Sequence, residues 1–298
     1  MKLGMIGLDS SHAVEFARIL NGGNEPFHIG GHPVTAACAG EMANDFDMSY
    51  QRMDKITRAV TKEWGVKLYP DIPSVMEQAD AVFLEQVDAR IRVRQFEEIV
   101  SFGKPVFVDK PFALSTAECC RMLELADRYG APVLSASALR FADGLTEALR
   151  QCKDSPIHGA DFFGPMPFVK TQPGYFWYGV HMADMLYRTM GTGCSRVRAI
   201  HMERYDLITG IWKDGRLGTI RGNRVGNGNF GGTVFFGTHS GAVDVSKDSR
   251  GYYESLLEAI IAMFDSGTSP VSGDEMTEIV RFLEASNESW QTGREILL

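Results

Sequence analysis

Lys110 is the residue whose setting first suggests chemistry. It stands in Gly103–Phe112, GKPVFVDKPF, after the apolar run Val106-Phe107-Val108 and before Pro111. Gly103-Lys104-Pro105 interrupts the helical pattern before it, and the three apolar residues read as a short buried strand. An ammonium just past the carboxyl end of a strand in an open parallel sheet lies on the edge where such sheets bind ligands. There it can donate a proton or hydrogen bond to a substrate oxygen, and burial can lower its pKa toward neutrality. Proline fixes the chain direction directly after it. The alternative is a solvated lysine in a strand-to-helix loop.

Other residues carry ligand-type side chains without a shared pattern. His181 and Asp184 are three apart, with His201 and His239 further along. Nothing ties these segments together at metal-ligand spacing, so no metal centre is expected. The 5 cysteines, Cys38, Cys119, Cys120, Cys152 and Cys194, contain no C-x-x-C spacing. Neither a zinc site nor a disulfide framework is implied, and a reducing, cytoplasmic setting is the expectation.

The elements that must position Lys110 alternate between strand and helix. Lys2–Leu8 is an apolar strand candidate that runs into Asp9-Ser10-Ser11-His12 and the helical pattern Ala13, Phe16, Ala17, Leu20. Strand, tight turn and helix open a dinucleotide-binding unit, with the helix N-terminus available to a pyrophosphate. Ser10 or Ser11 could cap that helix. If Gly7 is the first glycine of a G-x-G-x-x-G turn, Asp9 and His12 occupy the second and third positions. A carboxylate there would repel a pyrophosphate, and a histidine prevents the closest helix–strand approach.

A second strand, Val34–Ala39, ends at Gly40-Glu41, where an acidic residue would bind a ribose hydroxyl. Glu41 is the candidate, and no arginine beside it in sequence would take a 2′-phosphate, which leans toward NAD. Met48–Trp64 reads as a helix, Val66–Tyr69 as a strand, Ser74–Gln78 as a helix and Ala81–Leu84 as a strongly apolar strand. Glu85, Asp88, Arg90, Arg92 and Arg94 follow on the same carboxyl edge. Arg90 and Arg94, one helical turn apart, could clamp an anionic group or pair with Glu97 and Glu98 on a solvated face. Ser115–Tyr129 is a helix with a Ser-x-x-Glu capping box, and Pro132–Ser135 is a further strand. The cofactor-binding candidates are thus Gly7, Asp9, Ser10, Ser11, His12, Glu41, Glu85 and Lys110.

At 298 residues the chain fits two domains. A net charge of −8 argues against a nucleic-acid footprint, and no apolar run is long enough to cross a bilayer. In the second half, Phe141–Cys152 reads as a helix, Ile157–Phe163 as a strand and Gly164–Gly174 as a loop over a cleft. Tyr175-Phe176-Trp177-Tyr178 is an aromatic run suited to stacking on a sugar or nicotinamide, or to core packing. Val197–Met202, Leu207–Trp212, Leu217–Arg221, Thr233–Thr238 and Ala242–Ser246 read as successive antiparallel strands. Gly222–Gly232 reads as a mobile binding segment, and Tyr252–Phe264 and Asp274–Gln291 as helices.

Three separated stretches resemble the Gfo/Idh/MocA oxidoreductase family. They are the opening strand–turn–helix with GKPVFVDKP, the segment Gly179–Gly191 with its histidine, and the closing Glu288–Arg294. The family's lysine motif is usually E-K-P, and Asp109-Lys110-Pro111 is a close variant. The resemblance implies an α/β chain. Residues 1–136 would form a doubly wound parallel Rossmann domain. Residues 137–298 would form an α+β domain with a large open, mostly antiparallel sheet, its last helix returning to the first domain. It further implies NAD as hydride carrier, with NADP less expected, and a sugar, polyol or related secondary alcohol as substrate. No nucleic acid or membrane is implied, and a homodimer or homotetramer is.

Lys110 matches the family lysine and His181 its catalytic histidine, with Asp184 able to orient the imidazole from the same helix face. The chain departs from the family where Trp177 replaces an aspartate one turn before His181, where Val87–Arg92 replaces a threonine-proline-asparagine loop, and at Asp9 and His12. These departures keep two rival readings open, a catalytically silent ligand-binding relative and an NAD-assisted lyase or glycosidase.

Overall fold

Residues 1–151, 155–248 and 250–298 are described by the structure, a computed structural model. Cys152, the expected end of one helix, lies outside the described residues.

The chain divides into two compact units, the first Met1–Ala113, Ala117–Ser135 and Leu257–Val271, the second Leu114–Thr116, Ala136–Leu256 and Ser272–Leu298. The first is built on strands β1 (Leu3–Ile6), β2 (Val34–Cys38), β3 (Lys67–Leu68), β4 (Ala81–Leu84), β5 (Val106–Val108) and β6 (Val133–Leu134). They pair in parallel in the order β3-β2-β1-β4-β5-β6, the doubly wound arrangement. β1, β4 and β5 are buried at every residue, as expected of parallel strands covered on both faces.

The helices before the second half are α1 (Ser11–Asn21), α2 (Asp47–Tyr50), α3 (Met53–Arg58), α4 (Ile72–Gln78), α5 (Arg92–Val100) and α6 (Thr116–Tyr129). The predicted helix over 48–64 is instead α2, α3 and a π turn at Ala59–Glu63. α4 packs so closely on β1 that a Cβ at Gly4 would lie 2.8 Å from Val75 and 2.9 Å from Ala79. Asp71 caps α4 by accepting the Ser74 N–H at 2.9 Å.

In the second unit, β7 (Ile157–Pro165), β8 (Cys194–His201), β9 (Tyr205–Trp212), β10 (Leu217–Asn223), β11 (Gly231–Phe236), β12 (Ser240–Asp244) and β13 (Ile296–Leu297) form a seven-stranded sheet. Its order is β12-β11-β7-β10-β9-β8-β13, and every pairing is antiparallel except β7 with β10. The expectation of successive antiparallel strands therefore holds for β8–β9–β10 and for β11–β12, whereas β7 lies between β10 and β11, parallel to the first and antiparallel to the second. Burial alternates along β8 and β9, so one face is core and the other carries exposed Ile200, Leu207, Leu217 and Phe235. α7 (Asp143–Gln151), α8 (Gly179–Met190), α9 (Tyr252–Ser266) and α10 (Gly273–Thr292) complete the chain. Ser272 caps α10 through the Glu275 N–H, and Gly293 ends it at φ +69°. Among the described residues, no helix is long and apolar enough to cross a membrane.

Candidate active site

In the first unit the turn after β1 is made by Gly7 at φ +91°. A Cβ there would come within 2.4 Å of the Gln86 backbone nitrogen, so this position requires glycine on both counts. Asp9 corrects an expectation. Its carboxylate is fully buried and turns inward, accepting the Val87 N–H (2.8 Å), the Ser49 hydroxyl (2.7 Å) and the Gln86 amide (2.5 Å). Burial pushes this carboxyl up to about 6, against the pull of those donors. Gln86 also accepts the Glu41 N–H at 3.0 Å and donates to the Glu41 carbonyl at 2.9 Å. Asp9 and Gln86 thus tie together the segments that leave β1, β2 and β4. Position 9 does not repel a phosphate by default, because its charge is aimed into the protein.

Ser10, not Ser11, caps α1, its hydroxyl accepting the His12 N–H at 3.2 Å. Ser11 is the first helical residue and is exposed. His12 is buried and stacked on Phe16, ring centroids 5.6 Å apart. Its Nδ1 lies 3.0 Å from Asp109 Oδ1 and 3.6 Å from Glu85 Oε2. Burial alone would lower this imidazole, but the two carboxylates overcome it and lift it to about 9. Burial pushes Glu85 up to about 7. Three residues 12, 85 and 109 therefore form one buried cluster, and Asp109 is the member that the sequence reading did not count as a site residue.

Lys110 follows β5, half-buried, with its N–H donating to Asp109 Oδ1 at 2.8 Å and a cis peptide bond to Pro111. Glu41 is exposed at the end of β2 and pairs with Arg94 at 2.7 Å. That arginine is invisible in the sequence because it lies 53 residues away. Arg90 is held by Asp45 at 2.6 Å and Asp88 at 2.7 Å. Both guanidiniums are thus salt-bridged, though to these carboxylates rather than to Glu97 and Glu98. Arg92 is fully buried and donates to the carbonyls of Pro111 and Gln86.

In the second unit His181 lies on α8. Its Nδ1 is 2.7 Å from the Ser137 hydroxyl, and its ring meets Tyr178 and Phe230 edge-on at 5.3 and 5.6 Å. Phe230 comes from the glycine-rich segment expected to bind. Ser137 also caps the 3₁₀ turn Ala138–Phe141. The buried Asp184 accepts the Ser137 N–H and pairs with Arg140 at 2.7 Å, and Arg140 reaches Glu275 at 2.6 Å. Burial pushes the Asp184 carboxyl up, with Arg140 opposing. Asp184 therefore bears on the imidazole through Ser137, a residue that sequence reasoning missed because it lies 44 positions away.

Tyr175, Phe176 and Trp177 are core residues, at most 5% exposed. Trp177, in place of an aspartate, is packing. His201 is fixed by Asp206 at 2.6 Å and packs tilted against Trp290 with ring centroids 4.1 Å apart, while exposed His239 stacks on Phe236 at 5.2 Å. Among the described residues, these two form no metal-ligand group with His181 and Asp184. A cavity of about 640 Å³ opens between the 168–174 loop and α10, lined by Phe168, Gln172, Glu284, Asn287 and Trp290 among others.

Residues 31–137 match the model of the GFO_IDH_MocA oxidoreductase family, NAD-binding Rossmann fold. The match begins after the turn that carries Asp9 and His12. No curated protein matches the chain in sequence. Among solved structures, the chain is similar over its whole length to a myo-inositol dehydrogenase of Corynebacterium glutamicum (13% identity, 98% of that chain, TM-score 0.78). A scyllo-inositol dehydrogenase of Lactobacillus casei is similar over 100% of this chain and 98% of its own (14% identity, TM-score 0.78). An oxidoreductase of Agrobacterium radiobacter, solved with NAD+, L-tartaric acid and magnesium, is similar over 100% and 98% (16% identity, TM-score 0.76). At these identities the structural likeness is one of fold.

Proposed function

We propose that this chain, a member of the Gfo/Idh/MocA oxidoreductase family, binds NAD(P) on its first unit and oxidises or reduces a secondary alcohol of a sugar or polyol. The residues present suit a dinucleotide. The turn at Gly7 is tight, Ser11 is exposed at the N-terminus of α1, and Glu41 offers an exposed carboxylate at the end of β2 for a ribose diol. When bound, the dinucleotide supplies the hydride acceptor or donor. The inositol dehydrogenases among the similar structures support the substrate class.

His181 is assigned the hydroxyl proton. In the tautomer whose Nδ1 donates to Ser137 Oγ, the imidazole carries its lone pair on Nε2, which would take the proton during oxidation and return it during reduction. Lys110 is assigned to a substrate oxygen, where its ammonium would stabilise developing alkoxide charge. The observation that carries this reading is the Ser137–His181 contact. A general base needs a fixed ring position, and Asp184, Arg140 and Glu275 hold Ser137 in place.

Titration of the purified protein with NADH, followed by nicotinamide fluorescence, tests cofactor binding. Incubation with NAD+ and a panel of inositols and sugar acids, followed by NADH absorbance, tests turnover. Saturable binding with net NADH formation is expected. Absence of binding would favour the catalytically silent alternative, and binding with turnover but no net NADH would favour transient redox in a lyase or glycosidase.

A further inference from the structure

Three ligand-type side chains that sequence spacing does not group converge at the carboxyl edge of the first sheet. His12 comes from the first turn of α1, Glu85 from the end of β4 and Asp109 from the end of β5. One donor atom from each lies within 4.8 Å of the other two, and all three residues are buried. Among the described residues, neither oxygen of Glu85, itself 0% exposed, accepts a hydrogen bond. A carboxylate stripped of water in this way is costly unless a cation or donor compensates it. Arg92, the buried cation beside it, directs Nη1 and Nη2 onto the carbonyls of Pro111 and Gln86 instead. His12 Nδ1 stands 3.6 Å from Glu85 Oε2, too far for a hydrogen bond.

The geometry points to a binding site for one divalent first-row transition cation, held by His12 Nδ1, Glu85 and Asp109. A metal about 2.1 Å from each donor would subtend about 90° across the 3.0 Å His12–Asp109 pair and about 120° across the 3.6 Å His12–Glu85 pair. Those angles fall at octahedral and tetrahedral values for the two pairs that share the imidazole. One imidazole and two carboxylates suit zinc, manganese or ferrous iron, whereas magnesium prefers an all-oxygen shell. Stacking on Phe16 fixes the imidazole plane, as an orienting contact does for a metal-bound histidine. Two carboxylates and a divalent ion are also mutually neutral.

The test uses the full chain. Wild type, Glu85→Gln and His12→Asn are stripped with a chelator, exposed separately to ZnCl2, MnCl2 and MgCl2, desalted and measured for metal by mass spectrometry. Melting temperature is followed in parallel. Wild type is expected to retain about one zinc or manganese per chain and to melt higher with it, magnesium giving no shift, and each variant to lose at least about tenfold in affinity. Absence of retained metal and of any melting shift in wild type would overturn the site and leave an imidazolium held between two carboxylates. Equal retention by wild type and both variants would overturn it too, by placing the metal elsewhere. Should a variant fail to fold, cobalt absorption of the wild type decides. A spectrum of mixed nitrogen and oxygen ligation supports the site, and a spectrum of hydrated cobalt alone refutes it.

Discussion

The Ser137 hydroxyl stands 2.7 Å from His181 Nδ1 while the Ser137 main-chain N–H is gripped by Asp184. One residue thus couples an imidazole to a buried carboxylate without their needing to share a hydrogen bond. Ser137→Ala should lower kcat about tenfold, the worth of one orienting hydrogen bond, with little change in KM. Ser137→Thr should restore most of the loss, and the acid limb of the kcat–pH profile should move in the alanine variant alone. An unchanged profile in a folded Ser137→Ala protein would remove Ser137 from the reaction.

Lys110→Ala should reduce kcat on the order of 10²-fold or more, the usual effect of one acid–base group, while NADH affinity changes far less. Steady-state kinetics beside a fluorescence titration separates the two quantities. A full-rate variant would end the assignment of Lys110 to the substrate oxygen.

Arg140 bridges Asp184 and Glu275 at 2.7 and 2.6 Å and is only 6% exposed. Arg140→Met would leave the buried Asp184 uncompensated, and a loss of about 3–5 kcal/mol in unfolding free energy is expected. Urea denaturation read by tryptophan fluorescence measures it. Arg90→Met, which breaks more exposed pairs, should cost about 1 kcal/mol or less.

Asp9 gives a pH signature. Burial raises its carboxyl from 3.8 to about 6 in the folded protein. The folded state therefore binds this proton more tightly than the unfolded chain. The resulting stability is full below pH 3.8, is lost as pH rises toward 6, and levels off beyond. The difference in unfolding free energy between wild type and Asp9→Asn should fall by about 3 kcal/mol across that window. A flat difference would show that the carboxyl titrates alike in the folded and unfolded chain, without the upward shift.

The exposed Ile200, Leu207, Leu217 and Phe235 lie on the open face of the second sheet. A dimer or tetramer is expected by light scattering, and Leu207→Lys with Leu217→Lys should shift it toward monomer. A monomeric wild type would contradict the expectation.

Much of the first unit was legible because its strands are short apolar runs with turn residues at their ends. Ala81–Leu84 is a strand with the boundaries that its composition implies. The helix expected over 48–64 breaks at Gln51-Arg52, and the helical period of Met53, Ile56 and Val60 begins only beyond that break. His181 and Lys110 carry local patterns and could be found. Ser137, Arg94 and the grouping of His12 with Glu85 and Asp109 could not, since strand order, not spacing, brings such residues together. The direction of Asp9 was likewise beyond reach. Sequence reports a charge at a turn, but the donors it meets, Ser49, Gln86 and Val87, come from distant segments.

The two compact units are not two successive stretches of polypeptide. Leu257–Val271, near the end of the chain, packs with the first sheet, where Phe264 meets Phe83 with ring centroids 5.4 Å apart. A gene fragment stopped after residue 136 would thus encode the parallel sheet with an uncovered aromatic flank. Such a fragment should precipitate on expression, whereas the same fragment fused through a short linker to 257–271 should stay in solution. Dissecting this protein for separate study therefore requires a splice, not a single cut.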